Sequence, residues 1–262
     1  FYFSETAQIL LASWDGSIPS LWLGSSPNLC PVRAGFGRRL LCFGAIVAAC
    51  LASGPVAPSL ASSVDGWSQL GGDITSSSSS WTFGYAQALS GSGNRLVAAG
   101  PTYSNSTGRV QVFDWDGSGW AELGDELIGQ SSTHRFGHFV SISEDGDRIA
   151  VSSPGYDSGG SDVGLVQVFD WDGLSWTQAG AGLVGEAAQD EFGLDTSLSA
   201  DGERLAVGTY RNDGAGEEAG HVRVFEWDGS DWTQLGDDID GENEHHFFGE
   251  SVALSDDGSR LV

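Results

Sequence analysis

From residue 67 onward, short runs of alternating apolar and polar residues are separated by clusters of Gly, Ser, Asp and Asn. Residues 138–180 show the pattern best, as "HFVSIS" (138–143), "RIAVSS" (148–153), "LVQVFDW" (165–171) and "SWTQAG" (175–180). Runs of this length, rich in branched and aromatic residues and bounded by turn formers, predict β-strands. The Asp-Gly pairs 145–146 and 172–173 fall between runs one and two and between runs three and four. Asp-Gly supplies the positive φ angles of a tight hairpin, so the stretch predicts one four-stranded antiparallel sheet.

The pattern repeats. "FDWDGSGW" (113–120) returns as "FDWDGLSW" (169–176) and "FEWDGSDW" (225–232), 56 residues apart each time. A Phe-Gly pair recurs at Phe83-Gly84, Phe136-Gly137, Phe192-Gly193 and Phe248-Gly249. A Ser-x-Asp-Gly-x-Arg element recurs at 143–148, 199–204 and 255–260, with "SGSGNR" (90–95) as a weaker first version. A period of this size signals a solenoid, propeller or array. The third run places Val166 and Val168 on one side and Phe169 on the other, so both faces of each sheet need cover, which the neighbouring copies supply. The expected fold is all-β, a β-propeller of four-stranded antiparallel blades of about 56 residues, incomplete in this chain. Phe136, Phe192 and Phe248 are expected at equivalent sites between neighbouring sheets. A fourth copy stops at Val262, and an open arc of this kind exposes apolar faces that drive association. "SWDGS" at 13–17 echoes the repeated phrase out of register and is set aside.

The Phe-Gly starts, the "AAGP" (98–101) and "SSP" (152–154) ends of the second run and the following Gly-x-Val-x-Val-Phe resemble the FG-GAP repeats of the integrin α-subunit propeller. The resemblance covers residues 67–262 and implies a propeller on an extracellular or cell-surface protein. The third copy departs from the family pattern, with "VGTY" (207–210) in place of Gly-Ala-Pro. FG-GAP propellers hold Ca²⁺ in the turn between strands one and two, in an Asp-x-Asp-x-Asp-Gly loop. Here Ser143, Ser199 and Ser255 replace the first acid, and Arg148, Arg204 and Arg260 stand near the closing one. Too few oxygens remain for a calcium shell. Asp145, Asp201 and Asp257 read as hairpin residues, with the nearby Arg as a potential partner.

Composition adds a compartment. The net charge is −25, and no Lys or Met is present. A chain without Met reads as a fragment. An acidic surface of this kind repels nucleic acid and anionic lipid. Residues 1–31 form an unassigned leader. Residues 32–61 carry Arg33, Arg38 and Arg39, an apolar run from Leu40 to Ala52 and then small residues, the layout of a secretory signal peptide cleaved after Ala61. "VAAC" (47–50) offers a lipoprotein box with Cys50 as the lipidated residue. Cys30, Cys42 and Cys50 all precede the repeats, so no disulfide staples residues 62–262. The expected location is secreted or cell-surface, with membrane attachment only through a leader or lipid anchor.

In a four-stranded meander, the 1-2 and 3-4 turns emerge on one side, and the 2-3 and 4-1 connections on the other. The second side carries the variable acidic loops 155–164, 185–192, 211–220 and 237–247. Loops on a rigid scaffold are where binding concentrates. Tyr156, Asp157, Asp162, Arg211, Asp213, Glu217, Asp240 and Glu242 are therefore the ligand-face candidates, for an extracellular protein or glycan. No catalytic residue, cofactor or metal-ligand motif stands out. "HRFGH" (134–138) has metal-like spacing only on a helix, yet it runs into a predicted strand. The acidic loops leave weak, surface-type Ca²⁺ binding open. A secreted hydrolase or lyase with its active site in blades outside this sequence, and a purely structural surface module, are the alternatives. "NST" (105–107) is a glycosylation sequon.

Overall fold

The computed structural model describes residues 12–14, 67–75 and 82–262. From Gly71 to Val262 the architecture is all-β, with three antiparallel sheets, one per complete copy. In the first copy, Ala86–Leu89, Arg95–Gly100 and Arg109–Trp115 pair in sequence order. The fourth strand comes in two pieces, Trp120–Glu122 and Leu127–Ile128, both on the third strand. The second copy repeats this with Val140–Ile142, Arg148–Ser153, Leu165–Trp171, Trp176–Gln178 and Leu183–Val184. The third does so with Asp195–Leu198, Arg204–Thr209, His221–Trp227, Trp232–Gln234 and Ile239–Asp240. The fourth strand breaks where Gly124, Gly180 and Gly236 take positive φ angles (74°, 71° and 78°), a conformation incompatible with a continuous strand.

The Asp-Gly turns fall between the expected strands, but with different geometry. Gly146 and Gly173 are left-handed (φ 85° and 93°) and the Asp before each is not. Ser143 N donates to Arg148 O, and Gly146 N donates to Ser143 O, so the hairpin is a four-residue loop with one left-handed glycine. The Ser143 hydroxyl donates to Asp145 Oδ1 at 2.6 Å, and Asp147 N donates to the same oxygen at 2.9 Å. Asp201 and Asp257 repeat this with Ser199 and Ser255.

The arginine of the element does not pair with that Asp, which corrects the expectation. Arg148 instead forms a fork with Asp170 on the third strand (2.6 and 2.8 Å) and donates to Gly202 O in the next copy's turn at 3.0 Å. Arg95 and Arg204 make the same reach, to Gly146 O and Gly258 O. The Ser-x-Asp-Gly-x-Arg element is thus a clamp between consecutive copies.

Cover for both faces comes from neighbouring sheets. Val97, Ala99, Val110 and Val112 of copy one meet Phe136, Ile149, Val151 and Phe169 of copy two in one core. Ala150, Val166 and Val168 meet Phe192, Leu205, Val207 and Phe225 in the next. Phe83, Phe136 and Phe192 are almost fully buried, and each meets the third-strand Phe of its own copy edge-on at 6.2–6.4 Å. Phe248 differs. It is 40% exposed and meets no third-strand Phe among the described residues.

A fourth, two-stranded sheet lies within residues 10–70. Ala12–Trp14 pairs antiparallel with Trp67–Gln69, with Trp14 opposite Trp67. Every 3-4 hairpin has this register: Trp115 faces Trp120, Trp171 faces Trp176 and Trp227 faces Trp232. Ser13 and Trp14 of the echo therefore hold the third-strand register, which linear spacing hid because residues 15–66 separate the paired tryptophans. Those residues, including the apolar run and Cys50, lie outside the described ones. Cleavage after Ala61 and the Trp14–Trp67 pair cannot hold in one mature chain.

Candidate functional site

The connections 2-3 and 4-1 meet along one rim, as the meander requires. The residue before each third strand bridges to the Phe-Gly of the following copy: Gly108 to Phe136, Gly164 to Phe192 and Gly220 to Phe248. A Cβ on Gly164 would lie 2.2 Å from Phe192 N, and its φ is 89°, so only glycine lets the two backbones approach. Each bridge draws one copy's 2-3 loop against the 4-1 loop that follows.

Backbone strain concentrates there. Eleven described non-glycine residues have positive φ, and all lie in these loops: Ser104, Asn105 and Ser106, Asp162 and Glu218 in 2-3 loops, the other six in 4-1 loops. Those six repeat by column, as Thr133 with Arg135, Gln189 with Glu191 and His245 with Phe247. Left-handed non-glycine residues persist only where surrounding structure over-determines them, and they cluster at functional surfaces. On the opposite rim the positive-φ residues are glycines alone.

The predicted candidates divide. Arg211 joins a network in which Glu191 Oε1 accepts from Arg135 Nη2 at 3.0 Å and lies 3.3 Å from Arg211 Nη1. Asp162 reaches the same Arg135 at 3.5 Å. Tyr156 is half-buried, with His134 edge-on to its ring at 5.0 Å. Asp157 and Asp213 hold their own loops, accepting from Asp162 N and Glu218 N. Glu217 and Glu242 are exposed, and Asp240 sits on the last strand piece opposite His221. A shallow groove of ≈ 330 Å³ is lined by Tyr210, Arg211, Glu218, Phe247 and Glu250.

Sequence reasoning missed Arg135, Glu191 and Phe247, although all three immediately precede a Phe-Gly pair, which the repeat register could have shown. It also missed Glu186, His221 and Asp238, which are 35 and 17 residues apart and share no motif. The two histidines of "HRFGH" separate: His134 packs on Tyr156 and His138 on Tyr85.

His138 is the titrating group with the clearest consequence here. Burial, then the charge of Arg135, pushes its pKa down to about 4, and its Nδ1 is buried without a hydrogen bond. A depressed folded-state value means that the unfolded chain binds the proton more readily. Stability is therefore full above about pH 6.5 and lost as pH falls toward 4, by about 3 kcal/mol at most. His138→Gln is expected to flatten this acid arm. Urea titrations at pH 7 and 5 measure it, and equal losses in both proteins exclude it.

The strand 1-2 turns have their Asp oxygens engaged by Ser hydroxyls and backbone N–H groups. Calorimetry with Ca²⁺ is expected to show no stoichiometric micromolar site in these turns. A site of that kind lost in Asp201→Asn contradicts the reading.

No family model matches this chain, and no curated protein matches it. Among solved structures, a candidate 6-phosphogluconolactonase from Bacteroides uniformis is 14% identical with a TM-score of 0.46, over 67% of this chain and 45% of that one. A candidate 6-phosphogluconolactonase from Bacteroides fragilis is 14% identical with a TM-score of 0.42, over 59% and 38%. Kuenenia stuttgartiensis hydrazine synthase is 15% identical with a TM-score of 0.38, over 59% and 36%. The chain spans less than half the length of each. Among the described residues, no helix is long and apolar enough to cross a membrane.

Proposed function

We propose that this chain is part of a non-catalytic β-propeller of FG-GAP type, secreted or surface-attached, that binds an extracellular protein or glycan through its 2-3 and 4-1 loops. The confinement of all eleven left-handed non-glycine residues to that rim carries the reading. The opposite rim repeats its Asp-Gly turns from copy to copy, apart from Ser92-Gly93 in the first 1-2 turn, as a scaffold does. The loop rim changes from copy to copy, as a recognition surface does.

The rim is strongly acidic. Residues 101–108, 129–139, 154–164, 185–195, 210–220 and 241–251 hold twelve acids against two arginines, Arg135 and Arg211. Basic protein segments and cationic glycans suit this field best, and encounter with them is steered by long-range charge and weakened by salt.

The test is a screen of the intact chain against glycan arrays and immobilised extracellular-matrix proteins, with Glu217→Arg/Glu242→Arg, both exposed, as the rim variant and Asp116→Asn as the scaffold control. Expected is at least a tenfold loss of any salt-sensitive hit in the rim variant, with unchanged Tm, and none in the control. Hits that survive in the rim variant, or fall equally in both, refute the assignment.

Secretion rests on the apolar run at 40–52. N-terminal sequencing of the protein from its natural source checks it. A mature chain starting at Ser62 supports it, and a chain that retains Ala12–Trp14 overturns cleavage and leaves 15–66 interrupting a 3-4 hairpin.

A further inference from the structure

The first residue of the third strand faces a residue in the break of the fourth strand, and this pair changes chemistry from copy to copy. In copy one it is Arg109 with Glu126, an ion pair at 3.1 Å. In copy two it is Leu165 with Gly182, which carry no charge. In copy three it is His221 with Asp238, Nδ1 to Oδ2 at 3.5 Å. Glu186, from the preceding 4-1 loop, completes a group whose ligand atoms all lie within 4.8 Å of one another.

His221 is 1% exposed, and neither ring nitrogen has a hydrogen-bond partner. A buried polar group left unpaired costs free energy, so its surroundings normally supply a partner. Here the imidazole is aimed into two carboxylates, at the place where copy one puts a guanidinium. We infer that Glu186, His221 and Asp238 form a site for a divalent transition-metal ion. This inference is independent of what the rim binds.

The donor set selects the ion class. One imidazole nitrogen with two carboxylate oxygens suits Zn²⁺ and its neighbours, whereas Ca²⁺ and Mg²⁺ take oxygen shells. Tetrahedral zinc with ligands at about 2.0–2.1 Å separates them by roughly 3.3 Å, close to the His221–Asp238 spacing. Glu186 is exposed in its loop, where rotation of its side chain can close the remaining distance. Three protein ligands leave a fourth position for water or a ligand atom. The ion would tie the loop between copies two and three to the third strand and the fourth-strand break of copy three.

Arg223 opposes this. It is held by Val184 O at 3.0 Å and the Phe192 ring at 4.3 Å, with Nη1 3.5 Å from Glu186 Oε1. Copies one and two carry Gln111 and Gln167 in its place. The positive charge lowers the affinity for a cation, so Arg223→Gln is expected to tighten binding.

The experiment is calorimetry with Zn²⁺ on the intact chain without a polyhistidine tag, with Ca²⁺ for comparison and Co²⁺ absorbance to report geometry. One Zn²⁺ per chain in the micromolar range is expected, with a tetrahedral Co²⁺ band and a higher Tm. His221→Leu, the copy-two residue, should abolish it. Glu186→Gln, an exposed change that leaves packing intact, should weaken it at least tenfold, and Arg223→Gln should strengthen it about fivefold. Absence of saturable Zn²⁺ binding to the folded chain overturns the inference. So does a site whose affinity is unchanged in Glu186→Gln, or one that disappears only in His245→Ala/His246→Ala.

Discussion

Phe192→Ala is expected to cost about 3–5 kcal/mol, the range for truncating a fully buried aromatic. Phe192 has no exposed surface and meets Phe225 edge-on at 6.3 Å. It belongs to the core that joins copies two and three, so its cavity opens between two sheets that no disulfide holds together. Phe248→Ala, at the same position one repeat later, is expected to cost less than about 1 kcal/mol because that ring is 40% exposed. Urea midpoints of the two variants decide the matter. Similar losses would show that the Phe-Gly position stabilises locally and that stacking between copies contributes little.

The second large effect is expected at Gly164. Replacing it with Ala imposes a left-handed alanine, at about 1–2 kcal/mol, and drives a Cβ to 2.2 Å from Phe192 N and 2.4 Å from Phe192 O. Backbone cannot swing aside as a side chain can, so the bridge between the copies must open, for a total above about 3 kcal/mol. Gly173→Ala is the matched control. Its φ is 93° but nothing lies within 4 Å of the new Cβ, so only the conformational part, about 1–2 kcal/mol, applies. The difference between the two midpoints isolates the close approach. Equal losses would place the role of Gly164 in its φ angle alone and remove the argument that this glycine fixes the loop rim.

By itself, the sequence determined the repeat, its strands and which rim each connection occupies. These follow from local rules: alternation sets a strand's two faces, Asp-Gly sets a turn, and a meander puts alternate connections on alternate sides. Phe136 and Phe192 were legible as core because one residue type recurs in one column, whereas Phe248, expected with them, is 40% exposed. Tertiary structure decided whatever depends on distance through space. The 56-residue register hid the Trp14–Trp67 pair, since strand pairing ignores how much chain lies between partners. The partner of Arg148 was misassigned because its reach is to Asp170 and Gly202, not to the Asp three residues before it. Glu186, His221 and Asp238 left no motif, for they come from a loop, a strand and a strand break that converge only after the copies stack. The candidate loops share one rim, but which of their residues face outward and which, like Asp157 and Asp213, hold the loop itself depends on hydrogen bonds that exist only in the folded chain.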